Sequence, residues 1–374
     1  MNVGVCKETE KNEHRVALTP EGVEKLKGLG FEVQIEKGAG ANSSYTDQNY
    51  TDAGASINAS RDEILKNCDF LLAVQAPNPD SVKKMKQGAV LVSFIWPLQN
   101  KEYVELLNSR KISGLAMDTI PRISRAQVMD ALSSMSNIAG YKAALLGANQ
   151  LDKYLPMMMT AAGTIPPAKV LVLGAGVAGL QAIATAKRLG AVVESFDIRP
   201  EVKEQVESLG AKFVEVPLEE APESKGGYAK ELDKRNQEKQ REVIHEHAKK
   251  SDIVITTALI PGRPAPLLIT KAMVEDMNPG SVVVDIAAEQ GGNCEVTKPG
   301  ETYYYNNVAI MGPLNLPSTL ANHASRLYSK NMLALIDLLV EDGKPNFNFD
   351  DEIIVNTTVT HGGEVISPFV KENS

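Results

Sequence analysis

Six residues from Gly174 to Gly179 read Gly-Ala-Gly-Val-Ala-Gly, directly after an apolar run at 169–173 and directly before a helical pattern at 180–189. Glycines at that spacing, in a strand-to-helix turn, suit a dinucleotide pyrophosphate. The first permits the tight turn, the second lets backbone approach the phosphates, and the third lets the helix pack close to its strand. The helix N-terminus adds N–H groups and a partial positive charge. Asp197 ends the next apolar run, 18 residues past Gly179. An acid there accepts from the adenosine ribose hydroxyls and repels a 2′-phosphate, so NAD(H) is expected over NADP(H). Arg199 is able in principle to receive a phosphate, but an acid at the strand end decides the preference. Val177, Ala178, Ile198 and Arg199, with Ala258 and Leu259 after a later strand, complete the candidate cofactor-binding set. The glycines alone are weak evidence; strand, glycines, helix and acid together carry the reading.

Other chemistry-bearing residues offer less. His245 and His247 are two apart, which on a helix sends them to different faces, so a solvated helix in the charged stretch 230–250 is the better reading than a metal pair. Cys6, Cys68 and Cys294 lie far apart, in neither a disulfide nor a zinc pattern, and are expected to be reduced. No metal is expected.

These residues need a scaffold, and the chain supplies two series of short β-rich runs alternating with helical patterns. The first comprises 2–6, 31–36, 69–75, 89–95 and 112–117; the second comprises 168–173, 192–196, 213–216, 252–257, 281–286 and 308–311. Alternation of this kind implies parallel βαβ units, and six strands match a dinucleotide fold. Thr19, Pro20 and Gly30 mark the first helix as N-cap, first-turn proline and C-terminal glycine, with Val23, Leu26 and Leu29 toward the sheet. Helix-compatible stretches at 124–151 and 317–340 separate the series. The expected fold is α/β, with two Rossmann-like domains of parallel sheets joined by two long helices: residues 1–132 with 318–374 form the first, and residues 133–317 bind the dinucleotide. The β-like run 353–359 is expected to pack on the first domain.

Length and charge bound the rest. A chain of 374 residues exceeds one ordinary core. With 43% apolar and 23% charged residues it falls in the globular class. A net charge of −8 disfavours nucleic acid and anionic membrane as direct partners. The most apolar stretch, 170–186, is too short and too glycine-rich to span a bilayer, and the charged N-terminus lacks a secretory pattern. A cytoplasmic protein is expected.

From Pro121 the chain reads PRISRAQVMDALSSMSNIAGY, ending at Tyr141. This loop, with PMMMTAAGTIPP at 156–167, GVAGLQAIATAKRLG at 176–190 and ITTALIPGRPAP at 255–266, closely resembles the NAD(H)-binding component of proton-translocating NAD(P) transhydrogenases, which is domain I of their alpha subunit. The resemblance spans nearly the whole chain. It implies that Arg122, Asp130 and Ser133 hydrogen-bond the nicotinamide carboxamide and ribose, and that Gln127 reaches toward NADP(H) on a partner component. Tyr228, beside Gly226 and Gly227, resembles the family's mobile loop that closes over NAD(H). It further implies a homodimer, a separate NADP(H)-binding component and a membrane component carrying protons, placing the chain at the inner face of the plasma membrane through its partners. Ser133 and Asp130 also suit plain helix capping.

The chain also resembles alanine dehydrogenases, with which it shares KETEKNEHRVALTP at 7–20. Reducing a keto acid or imine requires a proton donor and a cation for the carboxylate; passing hydride between nicotinamides requires neither. On alignment, Gln75 stands where that family has its substrate lysine and Trp96 where it has its catalytic histidine, while Arg15 persists. A hydride relay is therefore favoured over an amino-acid dehydrogenase. A non-enzymatic NAD-sensing module is the third reading, with no residue speaking for it. Catalysis by a relay is positioning, with the two rings brought to about 3 to 3.5 Å.

Overall fold

The computed structural model describes residues 1–216, 224–225, 228–229, 234–260, 263–341 and 343–373. The chain divides into two compact units, Met1–Met135 with Ser318–Ser374, and Ser136–Pro317.

The first unit holds an eight-stranded sheet in the order Glu364–Val365, Thr358–His361, Ser113–Ala116, Val90–Phe94, Phe70–Gln75, Asn2–Val5, Glu32–Glu36, Ser56–Asn58. The six strands from Ser113–Ala116 onward are parallel; the first two are antiparallel additions at the edge. Phe70, Leu71, Leu72 and Val90 to Val92 are all buried, as strands covered on both faces require. The helix Pro20–Gly28 buries Val23 and Leu26, whereas Leu29 at its C-cap is half-buried. Thr19 is the N-cap, yet its side chain makes no capping bond; its hydroxyl turns to Ser329 instead.

The long helix Ala321–Leu339 serves this unit as a spine. Ser325 and Ser329, with Ser318 just before the helix, accept the amides of Val16, Thr19 and His14 at 2.9, 3.3 and 2.7 Å. A stripe of hydroxyls thus satisfies the backbone of an extended segment that has no strand partner, as buried amides require. Tyr328 donates to the Ala73 carbonyl at 2.9 Å, tying the spine to a strand end.

The second unit carries a seven-stranded sheet ordered Lys212–Phe213, Val192–Phe196, Lys169–Leu173, Ile253–Thr256, Val282–Asp285, Val308–Met311, Thr302–Tyr305, parallel except for the last strand. Alternate residues feed two cores. Val170, Val172, Ile253 and Ile255 pack with Ala143, Ala182 and Ile183 on one face; Leu171, Leu173 and Val254 pack with Ile244, Met273 and Val274 on the other. The α/β class and the parallel sheets agree with expectation, and both long helices are present, Ala131–Gln150 and Ala321–Leu339.

Several local expectations need correction. Residues 353–359 are not one strand: Glu352–Thr357 is a helix, begun by Asp351, whose carboxylate accepts the Ile353 amide at 2.8 Å, and only Thr358–His361 is extended. The Asp351 cap, together with the acid Glu352 in the first turn, outweighs the β-branched residues that follow. The strands Ser56–Asn58 and Thr302–Tyr305 add to the expected series, and the run at 213–216 shortens to Lys212–Phe213. Among the described residues, no helix is long and apolar enough to cross a membrane.

Candidate functional site

The glycine turn joins the strand Lys169–Leu173 to the helix Val177–Arg188. Gly174 lies at φ +99°, and a Cβ there would stand 2.6 Å from Thr257 Oγ1. Gly179 packs closer still, since its Cβ would fall 1.8 Å from the Gly174 carbonyl oxygen. Both positions therefore require glycine. Gly176, the helix N-cap, differs: among the described residues a Cβ would meet only an Arg199 guanidinium nitrogen, at 4.0 Å. Space is open where backbone must approach a pyrophosphate, so these residues fit a dinucleotide. Val177, the first helical residue, is exposed, and Ala178 follows it into the helix.

Asp197 follows the strand Val192–Phe196 and accepts the Ala175 amide at 2.7 Å, binding acid and glycine turn together. Arg199 pairs with it through two guanidinium bonds of 2.9 Å. Ile198 is half-buried against the second core. Across the turn, Thr257 Oγ1 donates to the Gly174 carbonyl at 3.0 Å. Ala258 is held on both sides by buried Asn293, whose Oδ1 accepts the Ala258 amide at 3.0 Å while its Nδ2 donates to the Ala258 carbonyl at 2.9 Å. Leu259 beyond it is exposed.

Asn293 and the acid behind it were not among the expected site residues. Asp285, fully buried at the end of its strand, accepts the amides of Asn293 and Cys294 and the hydroxyls of Thr256 and Thr297. The signal is an acid ending an apolar strand, the position Asp197 also holds after its own strand, here followed by Gly291-Gly292-Asn293. Gly140 is another omission. A Cβ there would stand 2.0 Å from the Ala178 carbonyl oxygen, so the helix Ala131–Gln150 rests directly on the start of the helix behind the glycine turn.

In the first unit, Arg122 and Gln127 are exposed in the segment 121–130. Arg125 anchors that segment through a paired bond to Asp351, at 2.7 and 2.9 Å, and Asn331 donates to the Val128 carbonyl at 2.8 Å. Asp130 accepts the Ser133 amide at 2.8 Å and also the Ser133 hydroxyl, capping the helix Ala131–Gln150. The capping role is thus filled, and it leaves acceptor positions on both side chains. Tyr228 lies in a two-residue strand paired with Lys225. Its side chain, Gly226 and Gly227 lie outside the described residues.

Arg15 is buried in the same unit, its guanidinium fork closed on Glu13 at 2.7 and 2.6 Å, with Gln75 donating to the same carboxylate at 2.9 Å. Burial works against the Glu13 charge, but Arg15 and Gln75 hold its carboxyl down at about 2. Burial pushes Glu8 up to about 7, despite the Val74 amide it accepts at 2.6 Å. Trp96 stands at φ +52°, its amide donating to Asp118, whose carboxyl burial raises to about 6. The three cysteines are free thiols that burial pushes upward, and His245 and His247 pair with Asp276 and Glu194 on different sides of their helix. Among the described residues no group of His, Cys, Asp and Glu could hold a metal ion.

Family models described as "Alanine dehydrogenase/PNT, N-terminal domain" and "Alanine dehydrogenase/PNT, C-terminal domain" match residues 4–139 and 143–368. The chain is similar to an NAD(P) transhydrogenase alpha-subunit chain of Rhodospirillum rubrum, 49% identical over 377 residues and 98% of each chain. A crystal structure of a transhydrogenase from Sinorhizobium meliloti matches with a TM-score of 0.89 at 46% identity, covering 98% of this chain and 100% of that one. An alanine dehydrogenase of Methanococcus maripaludis is more distant, 29% identical over 373 residues, 98% of this chain and 94% of its own.

Proposed function

Because the chain belongs to the alanine dehydrogenase/PNT family, among its NAD(P) transhydrogenase alpha subunits, we propose that it binds NAD(H) and presents the nicotinamide for direct hydride transfer to NADP+ on a partner component. Gly174, Gly176 and Gly179, with the amides that open the helix at Val177 and Ala178, hold the pyrophosphate. Asp197 takes the adenosine ribose, flanked by Ile198 and Arg199, while Ala258 and Leu259 border the pocket. Arg122, Asp130 and Ser133 orient the nicotinamide, Gln127 faces the partner's NADP(H), and Tyr228 closes over the bound nucleotide. Bound NADH supplies the hydride; this chain's residues position it and exclude water, with no acid or base required. A separate membrane component couples the transfer to proton translocation and holds this chain, a homodimer, at the inner face of the plasma membrane.

The observation that carries the relay over an amino-acid dehydrogenase is the closure of Arg15 on Glu13, a carboxylate to which Gln75 also donates. A guanidinium already matched by a buried carboxylate is a poor receptor for a substrate carboxylate, because the exchange would leave Glu13 buried without the guanidinium that balances its charge. The test measures hydride transfer from NADH to an NADP+ analogue, with and without the NADP(H)-binding component, beside NADH oxidation by pyruvate and ammonium. Transfer that depends on the partner is expected; brisk oxidation by pyruvate and ammonium would return the chain to the amino-acid dehydrogenases.

A further inference from the structure

The chain's own donors already fill the acceptor positions of Asp197. Its Oδ2 accepts the Ala175 amide at 2.7 Å and Arg199 NH2 at 2.9 Å, and its Oδ1 accepts the Arg199 amide and the Arg199 Nε, both at 2.9 Å. A carboxylate offers about four lone-pair sites, so no site is left in hand for a ribose hydroxyl. The two amide bonds are fixed by the backbone. The two guanidinium bonds belong to a long, rotatable side chain and are the ones that can be exchanged. Both side chains are well covered, 14% and 7% exposed, so the pair is a built contact rather than a solvated surface bridge. The fork also lies on the side of the glycine turn, since an Arg199 guanidinium nitrogen stands 4.0 Å from the Cβ position of Gly176.

We propose that Arg199 is an internal stand-in for the adenosine ribose: it occupies the diol-accepting face of Asp197 until the ribose hydroxyls bind and displace it. The inference rests on the reading of Asp197 as ribose acceptor. Two hydroxyl bonds replace two guanidinium bonds, so the exchange is nearly even, and a nucleotide lacking the 2′-hydroxyl loses little because Arg199 stays in place. Remove the guanidinium, and that same nucleotide buries a carboxylate short of a partner, which is costly for a charged group.

The test compares binding of NADH and its 2′-deoxyadenosine analogue by calorimetry, using the full chain. In the native protein the affinity ratio is expected to be only a few-fold; in Arg199→Met it widens by about tenfold or more. Arg199→Lys, which keeps a cation and loses the fork, gives a smaller widening and guards against a folding defect in the first variant. Asp197→Asn separates the two levels of the argument, since it weakens NADH itself if the acid accepts the ribose. A weakened Asp197→Asn with an unwidened Arg199→Met ratio overturns the inference alone. Unchanged NADH affinity in Asp197→Asn overturns the ribose reading and the inference with it.

Discussion

Glu8 sits behind Val74 and Gln75 with a carboxyl that burial pushes up to about 7, beside a Glu13 that Arg15 and Gln75 hold at about 2. The two acids act on stability in separate windows. Glu13, depressed in the folded state, contributes stability that is present above its unfolded value near 4.5 and is lost as pH falls toward about 2. Glu8 is raised, so its contribution is complete below about 4.5 and is lost as pH climbs through about 7. Asp118, raised to about 6, acts with the same sign as Glu8. Each unit of pKa difference is worth roughly 1.4 kcal/mol. Glu8→Gln should therefore flatten the decline in urea resistance between pH 4.5 and 7 without reversing it, because Asp118 remains. Parallel curves for native and variant protein would show that Glu8 titrates normally. Arg15, Gln75 and Trp96 are legible in the sequence as the positions where chemistry is kept or lost. Glu8, Glu13 and Asp118 are not, because an acid in a sequence is ordinarily solvated and its spacing carries no sign of burial.

Among the elements, the contact that most constrains the nucleotide turn is the seat of the helix Ala131–Gln150 on the helix Val177–Arg188. Gly140 lies against Ala178 so closely that a Cβ would meet its carbonyl oxygen at 2.0 Å and its Cα at 3.0 Å, all backbone atoms that cannot rotate away. Gly140→Ala should cost about 1 to 3 kcal/mol of stability and weaken NADH at the same time, because the displaced backbone belongs to the phosphate-facing turn. Gly28→Ala is the control: among the described residues no neighbouring atom outside its own helix backbone lies within 4 Å of its Cβ, and it should leave both thermal midpoint and NADH affinity near native. Native melting and binding in Gly140→Ala would rule out this coupling. The glycine turn and Asp197 are legible because their residue types follow from the backbone geometry they serve. Gly140 is not, since a glycine inside a small-residue helix names no neighbour. The edge strands Ser56–Asn58 and Thr302–Tyr305 escape a periodicity reading because they are short and only partly covered. The helix Glu352–Thr357 escapes because its cap, Asp351, has to be weighed against a β-branched run.

For the molecule as a whole, the question is what covers the apolar surface that the second unit leaves open. A hairpin pairs Met158–Thr160 with Gly163–Ile165 as a separate two-stranded sheet. Around it Met159 is 80% exposed, Met157 59%, Tyr154 54% and Ile165 41%. A lone two-stranded hairpin is marginal in water, and large apolar side chains left exposed together on one short element mark an interaction surface. A second copy of this chain is the occupant that the proposed homodimer supplies. Two copies each carrying a net charge of −8 repel one another at long range, so association must come from apolar burial. That combination fixes the sign of the salt effect: screening the like charges should hold or tighten the dimer, where an interface built on ion pairs would loosen. Replacing Met157 and Met159 together with serine should raise the dimer dissociation constant by about tenfold or more in sedimentation equilibrium. Far-ultraviolet dichroism and NADH affinity should stay near native, because neither side chain supports a core or the glycine turn. An unchanged dissociation constant, or a native dimer that loosens as salt rises, would remove the hairpin from the interface and leave its exposed methionines to one of the partner components instead.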